Sequence, residues 1–386
     1  MRMADEFAQR GVDVTVLTST RAVAQHNTYK LLPIIENWSW MDILACRKLL
    51  QESAPDVVDI HFTGWIYNDH PMITFLPTLI KRLLPQTHVC VHIESLGGIR
   101  RDLSTIGDIV IRRIVTQFID REQINYEYGS LIRDADSVVF LSERDKYELS
   151  KTFTGLADKS KVLPPPPIMP VLPALDRSAV QEVRRELGAE DSEIVLAYYG
   201  YVYPGKGVET LLSAIRHLVE KNRQVALIVI GGSPEMRVLD QRCQKPNYIE
   251  ELESSTSALA IKDRVRWIGY SPANSERPSK LLRACDICVL PFDSGVMLHN
   301  SSFAFAAMHG VPIITTTGPD TDAVFVHRDN VIVIRPSHSL DLSAAIIELF
   351  DDRALQEKIS AGALKLAKQK FSWETTLKET MNVWRM

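Results

Sequence analysis

The chain has 386 residues, 45% of them hydrophobic, and a formal charge of −4. That length supports two domains with a core each, and the mild negative charge excludes bulk electrostatic attraction to nucleic acid as the main business. Five cysteines without regular spacing point to a reducing cytosol and away from a disulfide framework. No apolar run reaches membrane-spanning length and no signal-peptide pattern stands at the start.

In chain order, 1–19 reads as the last turns of a helix, a stop at Gly11 and a strand over 12–17. A Rossmann-like half usually begins one strand and one glycine-rich loop earlier, so either the chain starts late or the sheet is assembled differently. A helix over 42–52 then leads through Pro55 to a strand over 57–61, and a helical stretch over 73–84 leads to a strand over 88–93. An amphipathic run over 106–133 precedes a strand over 137–141, a helix over 143–153 and a strand over 161–163. Repeated β-then-α order with apolar, β-branched strands predicts a mostly parallel sheet covered on both faces.

Pro164, Pro165, Pro166 and Pro167 interrupt this order. Four consecutive prolines favour stiff polyproline II, so they mark a semi-rigid hinge between domains at 1–165 and 171–371. The second half repeats the theme. A helix over 179–187 precedes a strand over 194–199, a glycine loop over 200–207, a helix over 208–220 and a strand over 225–230. A helical patch over 248–259, an apolar stretch over 265–270 and a short helical segment over 280–284 follow. A strand over 287–290 breaks at Pro291, a polar loop leads to a helix over 302–309 ending at Gly310, and Pro312 opens a strand over 313–315. A strand over 331–334, helices over 340–350 and 354–371 and a last helix over 372–386 complete the chain.

Several residues can carry chemistry. A loop that leaves a strand and delivers the N-terminus of a short buried helix is a ready anion site, and Ser301 and Ser302 add hydroxyl donors there. In the 200–207 loop, glycines let the backbone approach a phosphate and Lys206 supplies a compact positive charge. A plain strand–helix turn with a solvated lysine fits that loop equally; it is neither a Walker loop nor G-x-G-x-x-G. His92 ends the 88–93 strand, where parallel sheets gather ligands. By itself it reads as a satisfied structural histidine. Glu94, with Ser95, Gly97 and Gly98, continues the same loop. It suits orientation of an acceptor hydroxyl or general-base work, against a carboxylate standing in water. The preceding strand ends at His61, and His61 or Thr63 is a candidate to line the same edge of the sheet.

Asp134 and Asp136 have Asp-x-Asp spacing but sit at the amino end of a strand, which rules out a cleft metal site. Cys285-x-x-Cys288 straddles a buried strand and reads as inert core; a zinc site lacks two further ligands at suitable spacing. Arg100, Arg101, Arg112 and Arg113 flank an apolar amphipathic stretch suited to anionic lipid, or to a solvated helix face.

The run Pro291-Phe292-Asp293-x-Gly295-Val296, followed by Ser302, Ala307-x-His309-Gly310-x-Pro312 and later Phe371-Ser372-Trp373-Glu374, resembles a bacterial polysaccharide-type branch of glycosyltransferase family 4. The resemblance implies an α/β protein of GT-B fold, with two Rossmann-like domains facing a central cleft and the 372–386 helix packed back on the first. It implies a hexosyltransferase that takes a nucleoside-diphosphate sugar, UDP-linked, and a glycan or lipid-linked acceptor, and works with retention, without cofactor or metal. The setting would be the cytoplasm, with peripheral contact at the inner face of the membrane, in bacterial surface polysaccharide or glycolipid synthesis. Catalysis would fall to His92, Lys206 and Asp293; donor binding to Gly200, Tyr201, Lys206, Tyr270, Asn300, Ser301 and Ser302; the acceptor side to Glu94 and His61. This sequence departs from the family pattern at three places. Tyr201 stands where an Arg is usual, and Met297 and Phe305 stand where two Glu are usual, leaving Asp293 as the nearby carboxylate. Two rival readings follow: a GT-B nucleotide-sugar 2-epimerase and a non-catalytic nucleotide-sugar-binding subunit.

Overall fold

A computed structural model of the protein describes residues 2–20, 22, 28–96, 127–189, 193–232, 245 and 247–386. Gly97, Gly98 and the arginines at 100, 101, 112 and 113 lie outside the described residues, as does most of the amphipathic run over 106–133. The chain divides into two compact units, Met1–Pro164 with Thr376–Met386, and Pro165–Thr375.

The first unit holds two parallel ladders. Strands β1 (Thr15–Ser19) and β2 (Lys30–Ile35) pair only with each other, while β3 (Val57–Phe62), β4 (His88–Ile93), β5 (Ser137–Phe140) and β6 (Ser160–Val162) form a four-stranded sheet in sequence order. Among the described residues no strand joins β1 to β3. The first strand starts three residues later than the sequence suggested. Strand β2 carries Pro33 and has no counterpart in the sequence reading. It is an edge strand, the one place in a ladder where a residue without an N–H is tolerated.

Helices α1 (Arg2–Ala8), α2 (Ile43–Ser53), α3 (Leu76–Leu83), α4 (Leu131–Asp134) and α5 (Glu143–Ser150) accompany these strands. Successive residues of a strand face opposite sides. On β4, Val89, Val91 and Ile93 join the larger core with Leu50, Ile80 and Leu131, whereas Cys90 packs on the other side with Val139, Leu163 and Val383. That second face is covered by the end of the chain: the rings of Phe7 and Trp384 lie 4.7 Å apart, and Lys161 pairs with Glu379.

The second unit contains one six-stranded parallel sheet. Its strands are β7 (Ile194–Tyr199), β8 (Val225–Ile230), β9 (Val265–Gly269), β10 (Ile287–Leu290), β11 (Ile313–Thr316) and β12 (Ile332–Ile334), in the spatial order β12-β11-β10-β7-β8-β9. Counted from β7, this is the doubly wound order 6-5-4-1-2-3, whose switch point lies between β7 and β10. Helices α6 (Arg177–Glu186), α7 (Val208–Glu220), α8 (Tyr248–Ala258), α9 (Arg277–Arg283), α10 (Ser301–Met308), α11 (Ser339–Asp351) and α12 (Arg353–Lys370) belong to this unit. A last helix, α13 (Trp373–Val383), begins in it, where the Trp373 indole N–H donates to Pro167 O at 3.0 Å. The strands β7, β8 and β10 are buried almost without interruption, as a sheet covered on both faces requires.

Candidate functional site

The switch point of the second unit opens into a cavity of about 370 Å³. Its walls come from the turns that follow β7, β8 and β9 and from the start of α10: Tyr199 to Tyr201, Tyr203, Lys206, Ile230 to Gly232, Gly269 to Ser271 and His299 to Ser302. Glycines permit this crowding of turns. A Cβ on Gly231, at φ +112°, would stand 2.4 Å from Gly200 O, and one on Gly207, at φ +69°, would stand 1.8 Å from Pro291 O. Gly207 also starts α7, so the loop before it is drawn hard against the end of β10. The Asp293 N–H donates to Gly205 O at 3.0 Å and ties the two loops together.

Three sets of donors converge on this cavity. The first turn of α10 has no side-chain cap, because the Asn300 carboxamide Oδ1 turns back to accept the Met297 N–H at 2.7 Å. The leading amides of the helix are thus left for a ligand, with the positive end of the helix dipole behind them. The hydroxyls of Ser301 and Ser302 make no hydrogen bond among the described residues. Among the described residues Lys206 has no carboxylate partner; its ammonium rests 4.9 Å from the Tyr203 ring centre and 4.8 Å from that of Phe292. A cation held against two aromatic faces, unpaired and beside free amides, is suited to a phosphate or diphosphate.

The remaining expected donor-side residues fall differently. Gly200, Tyr201 and Tyr270 line the cavity, and both tyrosines are about half exposed. Asp293 does not line it: it is exposed and accepts from the Ser337 hydroxyl at 3.3 Å. Phe305 is buried, with its ring 4.3 Å from that of Tyr199, so an apolar stack forms part of the wall. Met297 is buried in the same loop. His309 at the end of α10 is structural. Its Nδ1 lies 2.7 Å from Phe305 O and its Nε2 2.5 Å from the Ser279 hydroxyl, and burial pushes its pKa down to about 4. Cys285 and Cys288 are both buried, and burial pushes their thiols up.

In the first unit the expected residues gather at the carboxyl ends of β3 and β4. Register sets His61 beside His92 and Asp59 beside Cys90, all on one face of the sheet. The imidazoles of His61 and His92 stack at 4.5 Å. His61 Nδ1 lies 2.8 Å from Glu94 Oε1, and His92 Nε2 lies 3.1 Å from Asp59 Oδ1. The latter contact is misaligned for a hydrogen bond and acts mainly as an ion pair. Burial would lower the pKa of His92, but the charge and close contact of Asp59 together with the charge of Glu94 outweigh it and the value is raised. Burial likewise would raise Asp59 and Glu94, yet the neighbouring histidines hold both carboxylates below their ordinary range. Asp59 was absent from the expected site residues, and its only sequence signal is its place two residues before His61. Asp59 Oδ1, Cys90 Sγ and His92 Nε2 lie within 4.8 Å of one another, so the three have metal-ligand spacing as well.

The Asp-x-Asp pair is fully engaged elsewhere. Asp134 binds Arg133 and the Thr78 hydroxyl, each at 2.5 Å, while Asp136 pairs with Lys81 and accepts the Val89 N–H. Asp134 links α4 to α3, and Asp136 anchors the start of β4.

Comparison with known proteins agrees with this geometry. An uncharacterised glycosyltransferase of Methanocaldococcus jannaschii is 26% identical across 100% of this chain and 92% of its own. Among solved structures, a glycosyltransferase from Rickettsia africae superposes with a TM-score of 0.73 at 11% identity, covering 99% of this chain and 92% of that one. HepE of Anabaena, solved with UDP and glucose, superposes with a TM-score of 0.66 at 15% identity, covering 99% and 94%. Residues 179–366, which hold the whole cavity apart from Ile168 and Met169, match the family of glycosyl transferases group 1. The chain therefore has the GT-B fold, and its residues 179–366 are similar to a glycosyl transferases group 1 domain.

Proposed function

We propose that the protein transfers a hexosyl group from a nucleoside-diphosphate sugar, a UDP-sugar, to a glycan or lipid-linked acceptor, with retention, in bacterial surface polysaccharide or glycolipid synthesis. One observation carries this reading: the free amides of α10, the unpaired hydroxyls of Ser301 and Ser302 and the unpaired ammonium of Lys206 converge on one cavity at the switch point. These groups suit a diphosphate, and their strength grows as its charge develops. As the bond from the anomeric carbon to the diphosphate oxygen breaks, the extra negative charge forms beside fixed donors that need no reorganisation. The acceptor oxygen bonds to that carbon, and its proton passes to the departing diphosphate. This route needs neither a metal nor a nucleophilic side chain.

Tyr201 and Tyr270 then flank the nucleotide. The Tyr199–Phe305 stack stands where relatives of this type place a carboxylate, so the ribose would be held by backbone groups and apolar contact. We assign His61 and Glu94 to the acceptor hydroxyl, because they stand at the carboxyl edge of the first unit's sheet and remain about two-fifths exposed. HepE, a structural neighbour of the whole chain, holds UDP, which favours uridine over the other bases.

Calorimetry with UDP, GDP and ADP sugars tests the proposal. The expected result is binding of a UDP-sugar that falls about tenfold or more in Lys206→Ala, the loss of one charge-assisted contact. Unchanged affinity in that variant would remove Lys206 from the site. Binding without turnover on any glycan or lipid-linked acceptor would instead identify a non-catalytic binding subunit.

A further inference from the structure

The face of the first unit's sheet that the chain end covers buries three side chains of metal-ligating type side by side. Register puts Asp59 of β3 across from Cys90 of β4, and His92 follows two residues on, on the same face. Cys90 is fully buried, and the side chains of His92 and Asp59 keep only 5% and 18% of their surface. Asp59 Oδ1, Cys90 Sγ and His92 Nε2 all lie within 4.8 Å of one another, and among the described residues this is the one such group of three. Trp384 packs against the same small cluster as Cys90, beside Val139, Leu163 and Val383.

The contact between Asp59 and His92 sets this group apart from an ordinary paired histidine. The two atoms stand 3.1 Å apart and are buried, yet neither makes an aligned hydrogen bond. A buried imidazole nitrogen normally has a partner in line with it. Two ligands of one tetrahedral zinc stand about 3.3 Å apart when the Zn–N and Zn–O bonds are about 2.0 Å, and a thiolate sulfur stands about 3.6 Å from each. The oxygen and nitrogen already have nearly that separation, and the sulfur has to close by no more than about 1 Å. A thiol, an imidazole and a carboxylate suit zinc or cobalt, whereas magnesium and calcium take oxygen ligands. The Trp384 indole N–H, buried and also without an aligned hydrogen bond, helps to hold the Asp59 carboxylate in its charged form, as an outer-shell partner of a ligand does.

We propose that Asp59, Cys90 and His92 bind a zinc ion, with water in the fourth position, which fastens β3 to β4 beneath the end of the chain. Binding exchanges protons for the metal. The thiol proton and the proton of the His92 imidazolium leave to solvent, and the sulfur, the imidazole nitrogen and the carboxylate oxygen each share an electron pair with the ion. Without the ion, the pair of His92 with Asp59 remains. The group belongs to the first unit and the donor cavity to the second, so the test does not depend on the donor chemistry. The full chain is freed of metal with a chelator and titrated with cobalt(II). One equivalent should give a near-ultraviolet thiolate-to-cobalt absorption band, which zinc then removes by displacement. Cys90→Ser should lose the band and leave UDP affinity as it was. Zinc should raise the melting midpoint of the unaltered chain and leave that of Cys90→Ser unmoved. Two measurements stand whether or not that variant folds. X-ray absorption of the zinc-loaded unaltered chain should show one sulfur at about 2.3 Å and nitrogen or oxygen at about 2.0 Å, and Trp384→Phe should remove part of the tryptophan quenching that cobalt causes. No band in the unaltered chain, a band that survives in Cys90→Ser, a zinc shell with no sulfur or more than one, or quenching unchanged in Trp384→Phe would overturn the proposal.

Discussion

The two units treat their polar groups in opposite ways. In the second, the Lys206 ammonium rests on two aromatic rings, and it, the Ser301 and Ser302 hydroxyls and the first amides of α10 have no hydrogen-bond or carboxylate partner among the described residues. In the first, His92 is paired with Asp59, and His61 with Glu94. Donors without a protein partner around an open cavity are free to exchange water for a ligand, whereas a paired set already has its partners. The contrast sets donors left without partners around a cavity in the second unit against charges already paired at the carboxyl ends of β3 and β4 in the first.

The sharpest way to break the contrast is to break the geometry that leaves the donors free. Gly207→Ala meets Pro291 O in a left-handed backbone position, so it should cost about 3 kcal/mol of stability in urea unfolding. A cost near zero would show that the loop shifts freely and does not fix Lys206. On the other side, His92→Ala strands the buried charge of Asp59 and should cost about 3 kcal/mol near pH 6. That cost has a pH signature. The folded pKa of His92 is raised above 6.5, so its share of the stability is complete below pH 6.5 and is lost as pH rises through the raised value. Asp59 is depressed below 3.8, so its share is present above that value and is lost as pH falls through the depressed pKa. The gap between the unaltered chain and the variant should therefore be widest between about pH 4 and 6.5 and narrow on the alkaline side. A gap that does not change with pH would mean that His92 contributes by packing alone.

The smallest effect on stability is expected at Glu94→Gln. Both Glu94 and His61 are about two-fifths exposed, so the pair contributes no more than about 0.5 kcal/mol. Transfer to the acceptor should nevertheless fall about tenfold or more with UDP affinity unchanged. An equal loss of transfer and of UDP binding would place Glu94 on the donor, and no loss of either would leave it a surface carboxylate.

Local pattern made much of the fold legible. The strand–helix alternation, the proline run before the second unit, the glycine stop after α10 and the converging loops around Lys206 and Ser301 follow from periodicity and turn chemistry within a few residues. Other features were not legible for the same reason. β2 contains Pro33 and lacks a clean strand signal, because only its edge position makes the proline harmless. Asp293 looked like a site carboxylate from its loop, yet it is exposed and bonded to Ser337, a residue forty-four positions later. The meeting of Trp38 with Tyr67 gave no signal either, since Trp38 and Trp40 differ only in which one the neighbouring turn covers.

The sequence by itself determined most of the strand–helix alternation, including the short buried helix that follows the strand Ile287–Leu290. Those properties are set by neighbours along the chain. Tertiary structure alone decided that Asp59 would meet His92, that His61 would stack on it, and that Trp38 would meet Tyr67. Each depends on the register of β3 against β4 or on two distant turns lying side by side. Such pairings are fixed by the packing of whole elements, and no local run of residues carries them.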